Sequence, residues 1–108
     1  MSLLRPLLSL KPNRTYTITL STTVDSVGEG MAVAYAVPTL REQTVIITPP
    51  GATASGQVMS GETGTCVTID IMPGRGLGTV SWSIAEGGRV LLALDLGERR
   101  SYYLGVGE

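Results

Sequence analysis

Polar and apolar residues alternate along most of this chain, in runs separated by glycine, proline and acidic turn residues. In the stretch 14–20, Tyr16, Ile18 and Leu20 share one face while Thr15, Thr17 and Thr19 share the other. That is the period of a half-buried strand, because successive side chains on a strand point to opposite sides. Val80, Trp82 and Ile84 repeat the pattern against Thr79, Ser81 and Ser83, so Trp82 is expected in a core and not on an exposed platform.

Carried along the chain, the pattern predicts strands at 14–24, 31–37, 43–48, 65–72, 79–85, 89–96 and 99–106, with a short edge strand around 57–59. Asp25 to Gly30, Pro38, Pro49-Pro50-Gly51 and Pro73 to Gly78 punctuate them, since glycine accepts positive φ and proline cannot continue a ladder. Glu86-Gly87-Gly88 predicts a tight hairpin, after which Val90, Leu92, Leu94 and Leu96 are expected to face inward. Seven or eight short strands at this spacing imply a β-sandwich or a small barrel. Beyond the first residues no segment carries a helical period. The expected core further contains Val33, Tyr35, Val45, Ile47, Val67 and Ile69, and Ile71 shares a face with the last two.

The first ten residues differ from the rest. Leu3, Leu4, Leu7, Leu8 and Leu10 suit a short helix or an extended strap, and Arg5-Pro6 interrupts the run before it can serve as a signal peptide. Ordering ten residues costs ~10–20 kcal/mol of backbone entropy, whereas burying five leucines returns ~7–15 kcal/mol. An ordered arm must therefore be covered. The expected organisation is an arm at 1–12, contacting a neighbouring subunit, followed by a sandwich domain at 13–108.

Composition narrows the chemistry. With 108 residues, 43% hydrophobic and 16% charged, the chain has the make-up of one folded domain. Eight basic residues stand against nine acidic ones, a balance that argues against nucleic acid as the main partner. No stretch approaches the ~20 apolar residues of a membrane-spanning helix. The sequence has no histidine, and Cys66 is its single cysteine, so neither an internal disulfide nor a thiol–imidazole pair can form.

The remaining motifs have plain readings. Gly74-x-Gly76-x-Gly78 has the look of a phosphate loop, but the chain continues as a strand where such a loop must open a helix. Asp25 with Glu29, and Glu86 with Glu98, fall in turns where solvated carboxylates are ordinary, and no calcium-loop spacing accompanies them. Asp70 and Asp95 sit mid-strand on outward faces, as solubilising or edge-protecting charges. No catalytic residue, metal or cofactor is expected.

Two segments point to surfaces instead. In 31–37, Ala32, Ala34 and Ala36 alternate with Met31, Val33, Tyr35 and Val37, so both faces are apolar. Such a strand is covered within the fold or lies flat against another subunit, and we take coverage as the expectation. Arg99, Arg100, Tyr102 and Tyr103 gather the residue types enriched at binding hot spots. The other reading of this segment is an edge strand whose tyrosines cap the core. Together with Leu3, Leu4, Leu7, Leu8 and Leu10, these four are the candidate interface residues.

The order strand, Met72-Pro73-Gly74-Arg75-Gly76-Leu77-Gly78, strand, Glu86-Gly87-Gly88-Arg89, strand, between Val67 and Leu96, resembles the C-terminal half of small immunoglobulin-like proteins of tailed-bacteriophage virions. The resemblance covers about a third of the chain, and the leucine arm and the final strand lie outside it. It implies an all-β, immunoglobulin-like antiparallel β-sandwich and a non-catalytic virion structural protein, a capsid decoration or minor capsid component. Its partners would be other virion proteins, such as the major capsid protein, and further copies of itself, and it would be made in the host cytoplasm. The alternatives are a carbohydrate-binding or adhesion module with a surface glycan as ligand, and a structural subunit of a bacterial multiprotein complex.

Overall fold

The computed structural model describes residues 8–24, 30–72, 77–96 and 100–107. Among them run nine strands: β1 (Leu8–Leu10), β2 (Thr15–Val24), β3 (Ala32–Pro38), β4 (Thr44–Thr48), β5 (Thr53–Met59), β6 (Cys66–Met72), β7 (Leu77–Glu86), β8 (Arg89–Leu96) and β9 (Arg100–Val106). They form a five-stranded sheet ordered β1-β9-β6-β3-β4 and a four-stranded sheet ordered β5-β2-β7-β8. One apolar core joins the two sheets. The architecture is therefore all-β with two sheets, and the described residues include no helix. Every ladder is antiparallel except that between β1 and β9.

Three strands place their side chains as alternation dictates. Tyr16, Ile18 and Leu20 of β2, Val67, Ile69 and Ile71 of β6, and Val80, Trp82 and Ile84 of β7 are all buried. Leu20 opposes Trp82 and Ile18 opposes Ile84 across the β2–β7 ladder, so the largest core side chain sits in the middle of its sheet. Near its end this ladder shifts register between Thr22 and Val24, and there the Thr23 hydroxyl accepts the Thr79 N–H at 2.7 Å. A side chain supplies the bond that the irregular ladder leaves open.

The inner face expected for β8 holds for Leu92 and Leu94 and fails at Val90. Gly87 and Gly88 form the hairpin turn with φ of 58° and 82°, the two positive values that a type I′ turn demands. However, Ile84 opposes Leu92 while Ala85 opposes Val90, so Leu91 is an extra residue in β8. The bulge inverts parity on its far side. Leu91, Leu92 and Leu94 pack against the core and Val90 is exposed; the Leu96 side chain lies outside the described ones. Asp95 is exposed on β8, an edge strand as expected, but Asp70 is on β6, between β9 and β3, and guards no edge. The Ser101 hydroxyl donates to its carboxylate at 3.2 Å.

At one corner of the molecule the two sheets meet. Gly56 of β5 lies so close to β4 that a Cβ there would sit 2.7 Å from Thr44 Cγ2 and 3.0 Å from Ile46 Cγ1. The Thr44 hydroxyl donates to the Gln57 carbonyl at 2.6 Å in the same place. This approach covers one edge of each sheet at once, and only glycine permits it.

Leu8–Leu10, expected within the arm, is a strand of the domain. β1 runs parallel to β9, with Leu8 opposite Leu104 and Leu10 opposite Val106. Leu10 is fully buried in the common core and Leu8 packs against it. The following turn, in which Asn13 adopts φ 54°, is fastened from two sides. Lys11 N–H donates to the Tyr16 hydroxyl at 2.7 Å, and the buried Ser60 hydroxyl donates to the Lys11 carbonyl at 2.6 Å while accepting Arg14 N–H at 3.1 Å. A boundary at residue 12 would cut a strand from its sheet, so Leu10 is core and not an intersubunit contact. Leu3, Leu4 and Leu7 lie outside the described residues.

Two measurements check this packing. Leu10→Ala is expected to destabilise by ~2–5 kcal/mol in denaturant unfolding, as loss of a fully buried leucine does; an unchanged midpoint would detach β1 from the core. Thr48 is fully buried and its hydroxyl has no hydrogen-bond partner. Thr48→Val keeps the volume and removes that buried hydroxyl, so unfolding should shift toward stability by about 1 kcal/mol.

Candidate interaction surface

The outer face of the five-stranded sheet is the most distinctive surface of the molecule, and β3 creates it. Ala32, Ala34 and Ala36 point into the core that joins the two sheets. Successive side chains of a strand point to opposite faces. The larger side chains of β3 must then point outward. The expectation that Val33 and Tyr35 face inward is overturned: both lie half-buried on the outer face.

Register extends the reversal to β4. Tyr35 opposes Val45, Val33 opposes Ile47 and Ala34 opposes Ile46, and directly paired residues share a face. Ile46 and Thr48 are therefore buried, while Val45 and Ile47, both expected in the core, are 44% and 54% exposed. Met31, just before β3, is 56% exposed and Val37 is 39% exposed. The result is an aliphatic surface on β3 and β4 with Tyr35 within it.

Toward β9 the same face becomes polar. Thr68 and Asp70 of β6 oppose Val37 and Tyr35 on one side, and Tyr103 and Ser101 of β9 on the other. Alternation separates the two tyrosines of the C-terminal cluster. Tyr103 is 38% exposed on this outer face. Tyr102 turns inward, its ring 5.1 Å from that of Trp82 at 49°, so it caps the core, but β9 lies between β1 and β6 and is not the edge strand of that reading. Arg100 is exposed and opposes Ile71, and Arg99 lies outside the described residues. The structure thus brings Tyr103 to the surface built by β3 and β4 and takes Tyr102 and Leu10 away from it.

The opposite side of the molecule contrasts with this one. On the four-stranded sheet, the Thr19 and Ser55 hydroxyls are hydrogen-bonded at 2.9 Å, and those of Ser21 and Thr53 at 3.0 Å. That face is a hydroxyl ladder suited to water. A polar groove of about 750 Å³ lies between the β3–β4 loop and β5, beside Leu40, Arg41 and Glu42. Nothing in it pairs a nucleophile with a base.

Other chemical candidates are engaged structurally. Cys66 is half-buried; its N–H donates to the Thr39 hydroxyl at 3.0 Å, and its sulfur lies 3.4 Å from the same oxygen. Glu86 forms an ion pair with Arg14 at 3.1 Å, a contact of little energetic weight at this exposure. Asp25, Glu29 and Glu98 lie outside the described residues, and among those described no three acidic or thiol ligands converge. What the arrangement can do is bind by desolvation, since a mostly aliphatic face gains by leaving water and has little charge to strip. Compared with known proteins, the chain matches no family model, no curated protein sequence and no solved structure.

Proposed function

We propose that this chain is a non-catalytic structural subunit that works through protein–protein contacts, and that it serves as a virion component of the decoration or minor-capsid kind. The observation that carries the first part is the exposed aliphatic surface of Met31, Val37, Val45 and Ile47 on a sheet with little charge. A patch of this kind on a small domain marks a partner surface. In an assembly, many modest contacts of this sort gain strength from repetition, because each subunit already held in place raises the effective concentration of the next.

The virion reading rests on the turn pattern of the sequence alone, and the immunoglobulin-like reading rests on that pattern with support from the strand order. The order β9-β6-β3-β4 follows that of the G, F, C and C′ strands of a variable-type immunoglobulin sheet. The departure is the β7–β8 hairpin, which lies in the other sheet between two strands that are neighbours in this one. Of the quoted turns, the Gly87-Gly88 hairpin is seen, and residues 73–76 lie outside the described ones. A carbohydrate-binding role is less well supported, because Trp82 is buried and occupied by Tyr102.

The test is incorporation. In the cells or phage that encode it, the chain is expected to sediment with a large particle and to be absent from the free pool. A variant with Val45→Lys and Ile47→Lys should fold with a nearly unchanged unfolding midpoint, because both side chains are largely outside the core, and should be at least about ten-fold depleted from the particle. Normal incorporation of that variant would remove the surface from the function, and a chain found only as free protein would remove the structural role.

A further inference from the structure

We infer that the aliphatic face of the five-stranded sheet is covered by a second copy of this chain, packed sheet on sheet about a two-fold axis; the inference rests on the structural-subunit reading above and names its partner. Three features of the face argue for it.

The first is the distribution of polarity. The apolar residues Met31, Val33, Tyr35, Val45 and Ile47 gather on β3, its N-terminal flank and β4, and Thr68, Asp70 and Ser101 lie to one side on β6 and β9. A two-fold axis in the plane between the sheets, crossing the strands at the Val33–Ile47 pair, lays β3 and β4 of one copy on β3 and β4 of the other. Aliphatic side chains then meet aliphatic ones, and the polar strip falls on the polar strip. An isologous contact requires a surface that complements itself in this way.

The second feature is charge. Asp70 lies one inter-strand pair away from the Met72–Val33–Ile47 row, so it is two residues along the strand from the proposed axis. Two residues on each side place the two carboxylates ~13 Å apart along the strands, so they do not face each other. The pairing buries no opposed charges. A lipid surface is a poorer occupant, since interfacial binding favours basic residues around the apolar face and the described residues of this face include an aspartate and no lysine or arginine.

The third feature is area. Four strands at ~4.8 Å spacing and three rows of outward side chains at ~6.7 Å give a footprint of roughly 400 Å² per copy and under about 800 Å² in the pair. That is smaller than a specific, stable interface, so the contact is a weak and transient one, with dimerisation in the upper micromolar range. The register also sets Tyr35 of one copy over Met31 of the other, a favourable ring–sulfur contact.

Sedimentation of the isolated chain from about 1 to 500 µM tests the inference. The expected result is reversible dimerisation, to twice the 11.3 kDa chain mass, weakened about thirty-fold or more by Ile47→Lys and likewise by Val45→Lys. Thr19→Lys, on the hydroxyl face of the other sheet, should leave it unchanged. In a Cys66→Ser background, Ile47→Cys should form an intermolecular disulfide on mild oxidation while Thr19→Cys does not. A chain monomeric throughout, or a dimer indifferent to both lysine variants, overturns the inference. If it is monomeric yet the doubly substituted chain is still lost from the particle, the second copy is excluded while the structural role stands. If the lysine variants change neither self-association nor incorporation, both readings fall.

Discussion

Because side chains alternate along a strand and pair across a ladder, the orientation of one strand is imposed on its neighbours. In this molecule β3 sets that choice for the outer half of its sheet. Its alanines enter the core, so Val33 and Tyr35 leave it; the ladders then turn Val45 and Ile47 of β4 outward along with Asp70 and Met72 of β6. A one-residue slip of β3 would drive valine and tyrosine into a core that now takes only methyl groups from this strand, and would present a bland alanine surface to solvent. The fit of the core and the character of the exposed face are thus a single constraint seen from two sides.

This explains which parts of the structure were legible in the chain. Where the two faces of a strand differ in polarity, as in Tyr16-Thr17-Ile18-Thr19-Leu20 and Val80-Ser81-Trp82-Ser83-Ile84, alternation alone identifies the buried side, and the structure agrees. Where both faces are apolar, polarity cannot decide, and volume does. The larger residues of β3 look more hydrophobic one by one, yet the core takes in the alanines. What the core accepts depends on strands far away in sequence that share it. Strand β4 was misread for the same reason, since its own pattern Thr44-Val45-Ile46-Ile47-Thr48 fits either orientation and takes its sense from β3.

The other misreadings share a non-local cause. Val90 is exposed because the bulge at Leu91 inverts alternation just after a turn that the Gly-Gly pair announced clearly. Gly56, within a run of small residues, showed nothing of the close approach that closes the β4–β5 corner. Tyr102 and Tyr103 formed one cluster in the sequence and serve two purposes in the structure, one capping Trp82 and the other facing out. A surface made by pairing can be recognised from sequence only after the pairing is known.

The parallel strand β1 has a consequence for how the molecule comes into being. It is near the beginning of the chain, and its partner is the last strand, with Leu8 set beside Leu104. Few contacts could be more distant along the backbone, and pairings that close so large a loop are slow to form. During synthesis Leu8 and Leu10 emerge early and must wait until β9 is complete before their ladder can exist. This side of the core is closed only when β9 meets β1. Until then its leucines are exposed in a crowded cell, and a neighbouring nascent chain offers the same β9 edge, so the final step of folding is also the step most open to exchange of strands between copies.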